Sequence, residues 1–377
     1  MGRILALVNQ KGGCGKTTTA IHVAAALAHR DLKTLLIDLD PQGHAAMGLG
    51  VELPSDRPTL SDVLSRTCLT GVGPSIGEAI VAARPGIDIV PANLGLAALE
   101  SRLANVPGRE ERLAEHLAEI TDNWDAIIID SPPNLGLLTI NALVAANEVT
   151  VPVEPSAFSA QGAERVLETI RVVAETTGHQ LVVRVLPTMV STNDLFASTL
   201  FGEFRERHPG LVLPLRIRRS ALFPRAAARG CTIAEVYPRA SAWRDYRETA
   251  DELRRGWAQA AAPAAERFAG LKVVAGGIAF SHPHLGPEQV QLAGDFNDWT
   301  PDRSVQLRNG GGTWTKFMPV RPGRYEYKFI LNGEWVPDPE NPRHAVSRMG
   351  TDNSLIEVPP DLPGRPVPVR GVDAEAL

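Results

Sequence analysis

Lysine is scarce in this chain of 377 residues, although lysine and arginine together number 38. The lysines are Lys11, Lys16, Lys33, Lys272, Lys316 and Lys328. Every other basic residue is an arginine, and such a bias commonly reflects genome composition, so a single arginine carries little functional information. The lysines are more informative, because two of them lie within one short loop near the N-terminus.

Cysteine and long apolar runs are also sparse. The cysteines, Cys14, Cys68 and Cys231, are far apart and form no C-x-x-C pair. This spacing argues against disulfides, a zinc site and an iron–sulfur cluster, and it fits a reducing cytosol. No apolar run reaches 18 residues and the chain opens on a predicted strand, so we expect neither a signal peptide nor a membrane span. The net charge of −5 leaves nucleic-acid binding open.

A glycine-rich loop near the N-terminus is the stretch around which we interpret the rest. Residues 3–20 read RILALVNQKGGCGKTTTA, which predicts an apolar strand, a tight turn and the start of a helix. Glycines let the backbone amides turn toward an anion, and the helix start adds a positive dipole end. The residues expected to bind a nucleotide are Gly12, Gly13, Cys14, Gly15, Lys16, Thr17 and Thr18. Lys16 suits the β- and γ-phosphates, and the Thr17 hydroxyl suits Mg²⁺.

The loop departs from the common G-x-x-x-x-G-K-[ST] pattern, because Gln10 stands where the first glycine would be. The actual pattern, K-G-G-x-G-K-T with Lys11 at its head, resembles the deviant Walker A loop of the ParA/MinD family of ATPases. The resemblance implies that Lys11 is catalytic and reaches across an ATP-dependent homodimer to the partner's phosphates. The alternative is a solvated loop charge.

Acidic residues follow two further predicted strands. The string KTLLIDLDPQGHA resembles the family's D-x-D-P-Q-G-N segment, with His44 in place of the asparagine. The resemblance implies that Asp40 orients the attacking water and that Asp38 supports the Mg²⁺ shell. Asp130, which ends the strand of WDAIIIDSPP, looks like the Walker B acid that holds Mg²⁺ through water. The structural alternative for these acids is loop capping.

Strands and helices alternate through residues 1–255, which predicts an α/β fold with a mostly parallel sheet and helices on both faces. The resemblance makes this a P-loop NTPase domain. We expect Leu213 to Ile217 to be its last strand. The phosphate loop and both acidic segments follow strands directly, so they should converge at the carboxyl edge of the sheet.

A basic segment lies late in this domain. Leu211 to Gly230 contains arginines and no acidic residue, a composition that suits contact with a phosphate backbone without sequence reading. By resemblance to ParA-type proteins, we expect nonspecific DNA binding by the ATP dimer. The candidate contacts are Arg218, Arg219 and Arg225; an ordinary arginine-rich surface is the alternative.

The second half of the chain changes character after a linker at 256–274. Over 275–358 the apolar period drops to two and Gly- or Pro-rich turns recur, which predicts a small all-β, immunoglobulin-like sandwich. The strings VQLAGDFNDW and YEYKFILNGEWVPDPENP resemble the glycogen-binding module of the AMP-activated protein kinase beta subunit and of branching enzymes. The tail, 359–377, is Pro-rich and expected to be disordered.

That resemblance implies a set of sugar-binding residues. Trp299 and Trp335 match the tryptophans that stack on glucose rings, since pyranose C–H groups pack well on aromatic faces. Lys328, Thr351 and Asn353 match polar contacts to the hydroxyl groups. A sandwich whose tryptophans are core residues, or a module used for protein contact, is the alternative; Trp314 is expected in the core.

The two resemblances together suggest a cytoplasmic, ParA-like ATPase that uses ATP and Mg²⁺, dimerises with ATP and positions a cargo on nonspecific DNA, hence on the nucleoid. A C-terminal module would bind an α-glucan such as glycogen, and an unidentified partner protein would stimulate hydrolysis. The alternative is a glucan-sensing regulatory or scaffold ATPase that acts on a protein complex without DNA. No membrane partner is expected, because the tail lacks an amphipathic helix.

Overall fold

The computed structural model describes much of the chain. The described residues are 2–54, 56–65, 73–103, 106, 108–156, 159–177, 179, 181–259, 270–274, 277–283, 289–301, 308–309, 313–346 and 352–359. Thr351, one of the predicted sugar contacts, and 360–377 of the predicted tail lie outside them. No helix in the described part of the chain is long and apolar enough to cross a membrane.

The first domain is built on a seven-stranded sheet. Its strands are β1 (Arg3–Leu7), β2 (Thr34–Asp38), β3 (Val81–Arg84), β4 (Ile87–Val90), β5 (Ala126–Asp130), β6 (Glu148–Val153) and β7 (Val182–Pro187). Their order is β3-β4-β2-β5-β1-β6-β7. All neighbours are parallel except β3 and β4. The predicted mostly parallel sheet is therefore confirmed.

Helices cover both faces of this sheet. They are α1 (Lys16–Ala28), α2 (His44–Gly48), α3 (Leu60–Ser65), α4 (Ile76–Ala79), α5 (Gly95–Arg102), α6 (Arg112–Ala118), α7 (Leu137–Ala145), α8 (Ser159–Thr177), α9 (Leu195–Arg207), α10 (Leu222–Ala227), α11 (Ile233–Val236) and α12 (Ser241–Gln259). The central strands bury residues on both faces, as parallel strands between two helical layers must. One apolar cluster lies beneath α1 and α12, and the other beneath α7 and α8.

The expected strand from Leu213 to Ile217 is wrong. Isolated bridges flank the segment, between Val212 and Val185 on one side and between Arg218 and Val190 on the other. The Leu213 amide donates to the Val185 carbonyl at 2.9 Å, and the Ile217 amide donates to the Pro187 carbonyl at 2.8 Å. These two amides are four residues apart, whereas the carbonyls that they contact are only two residues apart on β7, so the segment bends away from β7 between them and no continuous ladder forms.

The second domain is an antiparallel sandwich, as predicted. Its strands are β8 (Gly270–Val274), β9 (Gly277–Pro283), β10 (Val290–Gly294), β11 (Arg308–Asn309), β12 (Thr313–Pro319), β13 (Gly323–Leu331), β14 (Glu334–Val336), β15 (His344–Val346) and β16 (Asp352–Val358). One sheet has the order β11-β12-β9-β8; the other has β10-β13-β16-β15, with β14 beside β13. We call them the docking sheet and the outer sheet. The segment assigned to a linker contains the end of α12 and β8.

The docking sheet packs against the first domain. Ala279 and Phe317 join the apolar cluster around α7 and α8. Alternate residues of the same strands, among them Phe280 and Trp314, face inward to the core of the sandwich. Trp314 is therefore a core residue, as expected. Consequently the docking sheet is apolar on both faces, and the sandwich core separates the outer sheet from the first domain.

Polar contacts surround this apolar contact. The Thr315 hydroxyl donates to the Thr176 carbonyl at 2.9 Å, and the Arg321 guanidinium donates to the Ser101 hydroxyl at 3.0 Å. Lys316 forms an ion pair with Glu110, and both side chains are largely buried, at 12% and 7% exposed. The two domains thus share an interface with its own buried ion pair.

Candidate functional site

The loop between β1 and α1 has the conformation that its glycines allow. Gly13 and Gly15 have φ angles of 75° and 91°, in the left-handed region that favours glycine. Gly12 does not adopt that region, so its glycine is not required by backbone conformation. Within the described residues no side chain caps the N-terminus of α1. Its first amide groups are thus left for another acceptor, as in an anion site.

Two carboxyl groups meet beside this loop. Asp38 and Asp130 end β2 and β5 and are paired directly across the two strands. Both are fully buried. Asp38 accepts hydrogen bonds from the amides of Asp40 at 3.2 Å and Ala45 at 3.0 Å. Neither carboxylate oxygen of Asp130 accepts a well-formed hydrogen bond from the described residues, although the Thr17 hydroxyl lies close enough to affect the pKa of Asp130.

Burial dominates the electrostatics of this pair. Burial raises the pKa of Asp130 to about 7, although the Thr17 hydroxyl and the Lys16 charge act in the opposite direction. Burial, followed by the charge of Asp130, raises the pKa of Asp38 well above its usual range. Two adjacent buried carboxylates are costly unless a cation compensates them. These residues therefore fit a hydrated divalent cation such as Mg²⁺.

Lys16 and Asp40 complete the edge of the site. Lys16 is buried at the start of α1, and its ammonium group donates to the Lys11 carbonyl at 3.3 Å. The Asp40 carboxylate accepts a hydrogen bond from the Gln42 amide at 3.0 Å. The site thus brings together uncapped amides, a buried ammonium group and three carboxylates. This set can neutralise phosphates, hold a cation and orient a water molecule.

Lys11 forms an ion pair in this structure, with its side chain 40% exposed. Its ammonium group donates to the Glu154 carboxylate at 2.9 Å and to the Ser156 hydroxyl at 3.2 Å. Both partners follow β6. Sequence reasoning missed Glu154, because 143 residues separate it from Lys11 and no motif includes it.

Other residues that sequence reasoning missed hold the loop in place. Asn9 is buried, accepts from the Lys11 amide at 3.0 Å and donates to the Pro152 carbonyl at 2.6 Å. The buried Thr188 hydroxyl donates to the Cys14 carbonyl at 2.9 Å. Polar residues directly after apolar strands were the available signal, since such positions lie at the carboxyl edge of the sheet.

The three candidate DNA contacts lie in different environments. Arg218 forms a two-pronged ion pair with Asp245, at 2.6 and 2.7 Å. Arg219 donates to Glu154 at 2.8 Å. Arg225 is exposed on α10. Unlike the other two candidates, Arg225 forms no ion pair with the residues that the structure describes.

The outer sheet presents an aromatic surface. The rings of Trp299 and Trp335 are stacked, with centroids 6.2 Å apart and planes 28° apart, and Trp335 is 44% exposed. Trp299 follows a short 3-10 helix, has a φ of 58° and donates from Nε1 to the Asp295 carboxylate at 2.9 Å. This turn brings its ring to Trp335 on β14. Two such rings can face successive sugar units.

Polar residues lie on the same sheet. Lys328 is on β13 and Asn353 is on β16; both are largely buried. The Asn353 amide donates to the Glu326 carboxylate at 2.9 Å. The sheet thus offers ring faces together with fixed polar groups, the usual composition of a carbohydrate site.

Two family models match the chain. The first, described as an AAA domain, matches residues 2–183. The second, described as the glycogen recognition site of AMP-activated protein kinase, matches residues 278–363. The matches fall on the two structural domains.

The first domain is similar to curated proteins and to solved structures. The sporulation initiation inhibitor protein Soj of Bacillus subtilis is 35% identical over 259 residues, covering 67% of this chain and 98% of Soj. The chromosome partitioning protein ParA of Caulobacter vibrioides is 36% identical over 225 residues, covering 58% of this chain and 82% of that protein.

Solved structures that are similar to the first domain include complexes with nucleotides. Cobyrinic acid a,c-diamide synthase from Mycobacterium smegmatis, with bound ADP and magnesium, is 33% identical with a TM-score of 0.59, covering 70% of this chain and 99% of that one. A complex of a McdA variant from Cyanothece with ATP is 25% identical with a TM-score of 0.60, covering 67% of this chain and 96% of that one.

Proposed function

Because the chain belongs to the family of Soj and the ParA partitioning proteins and carries a glycogen-recognition module, we propose that it is an ATPase that positions an α-glucan cargo. ATP with Mg²⁺ drives dimerisation, the dimer binds DNA without sequence preference, and hydrolysis releases it. A partner protein stimulates hydrolysis. This places the protein in the cytoplasm, at the nucleoid while ATP is bound.

The observation that carries the ATPase half of the proposal is the buried pair of Asp38 and Asp130 beside the phosphate loop. A buried carboxyl pair is stable in its ionised form only with a cation, and the adjacent uncapped helix start suits the phosphates that Mg²⁺ accompanies. Lys16 and Thr17 then contact the phosphates and the cation, and Asp40 orients the attacking water. Lys11 acts across the dimer.

We expect Asp40→Ala to bind ATP without hydrolysing it, and therefore to accumulate as a dimer. The measurement is sedimentation velocity with ATP and Mg²⁺, with phosphate release followed in parallel. The wild type with ADP is the control and should remain monomeric. A monomeric Asp40→Ala protein at saturating ATP would show that ATP does not drive dimerisation.

DNA binding separates the two candidate roles. We expect the trapped dimer to bind duplex DNA of any sequence and Arg225→Glu to weaken that binding about tenfold or more, because it reverses an exposed positive charge. Glu119→Lys, which reverses the charge of an exposed residue directly after α6, is the control. Unaltered DNA retention in Arg225→Glu would favour a glucan-sensing scaffold that acts on a protein complex without DNA.

The glucan half rests on the aromatic pair of Trp299 and Trp335. We expect the whole protein to co-sediment with glycogen, and Trp335→Ala to lose about 1.5–3 kcal/mol of binding free energy, because it removes the apolar ring face that the sugar would cover. Trp335→Phe keeps an aromatic face and should retain most binding. If neither the wild type nor Trp335→Phe pellets with glycogen, the module serves protein contact.

A further inference from the structure

Glu154 pairs with two basic residues, Lys11 and Arg219, that are far apart in the sequence. One of its carboxylate oxygens accepts from Lys11 at 2.9 Å, and the other accepts from Arg219 at 2.8 Å. The hydrogen bond from Lys11 holds the pKa of Glu154 below its usual range, with Arg219 contributing. Glu154 therefore stays ionised and links the phosphate loop to the basic segment.

This contact keeps the Lys11 ammonium group within its own subunit. Ser156 accepts a second hydrogen bond from it, and the Ser156 hydroxyl is itself within 2.7 Å of the Ser159 hydroxyl at the start of α8. To contact phosphates of another subunit, Lys11 must exchange an ionised partner for them. An ionised Glu154 also repels phosphate groups that approach Lys11.

We propose that Glu154 is a positioning residue that restrains Lys11 and thereby raises the ATP concentration needed for dimerisation. The inference rests on the proposed function, in which Lys11 acts across the dimer. Arg219 shares the carboxylate, so it weakens the hold on Lys11 and keeps Glu154 paired when Lys11 leaves.

Substitutions of Glu154 and of Arg219 should change the nucleotide concentration needed for dimerisation in opposite directions. Glu154→Gln removes the charge and should lower the concentration of a non-hydrolysable ATP analogue at half-maximal dimerisation about two- to fivefold, the range expected for a partly exposed ion pair. Arg219→Ala leaves Lys11 as the remaining partner of the carboxylate and should raise that concentration. Sedimentation velocity with Mg²⁺ and without DNA measures both.

Glu164→Gln is the matched control. Glu164 lies on α8 and pairs with Arg207 and His208. Its substitution changes the net charge by the same amount as Glu154→Gln, but at a position away from Lys11. It should dimerise as the wild type does. Thermal unfolding without nucleotide shows whether any variant acts through the fold instead, and the opposite signs of the two variants are not expected from general destabilisation.

The outcomes separate the inference from the function on which it rests. If the wild type does not dimerise with the analogue, the proposed dimer itself fails. If the wild type dimerises and Glu154→Gln needs the same concentration or more, the proposed restraint is wrong while the dimer stands. The proposed restraint is supported if Glu154→Gln dimerises at a lower concentration of the analogue than the wild type and Arg219→Ala at a higher one.

Discussion

At the scale of single residues, the buried carboxyl groups at the ends of β2 and β5 destabilise the folded chain when they are ionised. Asp130 prefers to be protonated in the folded chain, because burial raises its pKa to about 7. An aspartate in an unfolded chain has a pKa of about 3.9. The folded state therefore binds a proton more tightly, and stability falls as pH rises from about 4 through 7.

We expect Asp130→Asn to stabilise the protein in the absence of nucleotide at pH 8, by about 2–4 kcal/mol, and by clearly less at pH 5, about 1–1.5 kcal/mol, because the folded-state carboxyl group is protonated there. The amide keeps the shape of the side chain and carries no charge. Chemical denaturation at the two pH values measures the difference, with the exposed Glu119→Gln as control. A less stable Asp130→Asn protein at pH 8 would contradict this account of the site.

The same substitution should abolish the stabilisation that Mg²⁺ and ATP give the wild type, because the proposed cation loses a ligand. Function and stability then change in opposite directions at one position. Opposite effects on stability and on function are expected where charged residues bind a ligand and do not stabilise the fold.

At the scale of structural elements, the phosphate loop depends on the segment that follows β7. Thr188 donates its hydroxyl to the Cys14 carbonyl, and its amide donates to the Val153 carbonyl at 2.9 Å. One residue therefore connects the loop to the neighbouring strands of the sheet. The loop keeps its conformation partly through a contact from 174 residues away.

We expect Thr188→Val, which keeps the side-chain shape, to weaken ATP binding about tenfold. The Cys14 carbonyl loses its buried donor, at a cost of about 1–3 kcal/mol, and the loop loses its preferred conformation. Titration calorimetry with Mg²⁺ and ATP measures the affinity. Thr188→Ser restores a hydroxyl and should bind nearly as the wild type does; equal affinities for the valine and serine variants would rule out this role.

These elements also indicate how far the sequence could be interpreted. The strand of Ala126–Asp130 and the helix of Ser159–Thr177 are contiguous local patterns, so the sequence located them well. The expected strand from Leu213 to Ile217 was wrong because the sequence pattern records hydrophobicity, whereas pairing depends on register: four residues here span only two residues of β7. Glu154 was not identified because its partnership with Lys11 depends on how distant strands lie side by side, which no local pattern contains.

At the scale of the whole molecule, α8 connects the nucleotide edge to the second domain. It starts at Ser159, just after Glu154, and its contacts with the docking sheet include Glu168 and Thr176. Glu168 lies nine residues into the helix, about 14 Å along its axis. The docking contacts on α8 therefore lie away from Lys11, while the tryptophans are on the other sheet of the sandwich. The proposed dimerisation and the proposed glucan binding therefore do not compete for the same surface of the chain.

This arrangement predicts that Lys316→Glu separates the two domains. The substitution places a second negative charge beside the buried Glu110, and breaking a buried pair costs about 3–5 kcal/mol. Small-angle scattering should show a larger radius of gyration, and calorimetry should show two unfolding transitions. The double variant Glu110→Lys/Lys316→Glu restores opposite charges and should return both measurements toward the wild type, whereas Glu119→Lys should change neither. If Lys316→Glu keeps the scattering and unfolding profile of the wild type, the docked arrangement does not depend on this ion pair, and the apolar contact of Phe317 and Ala279 suffices to hold the domains together.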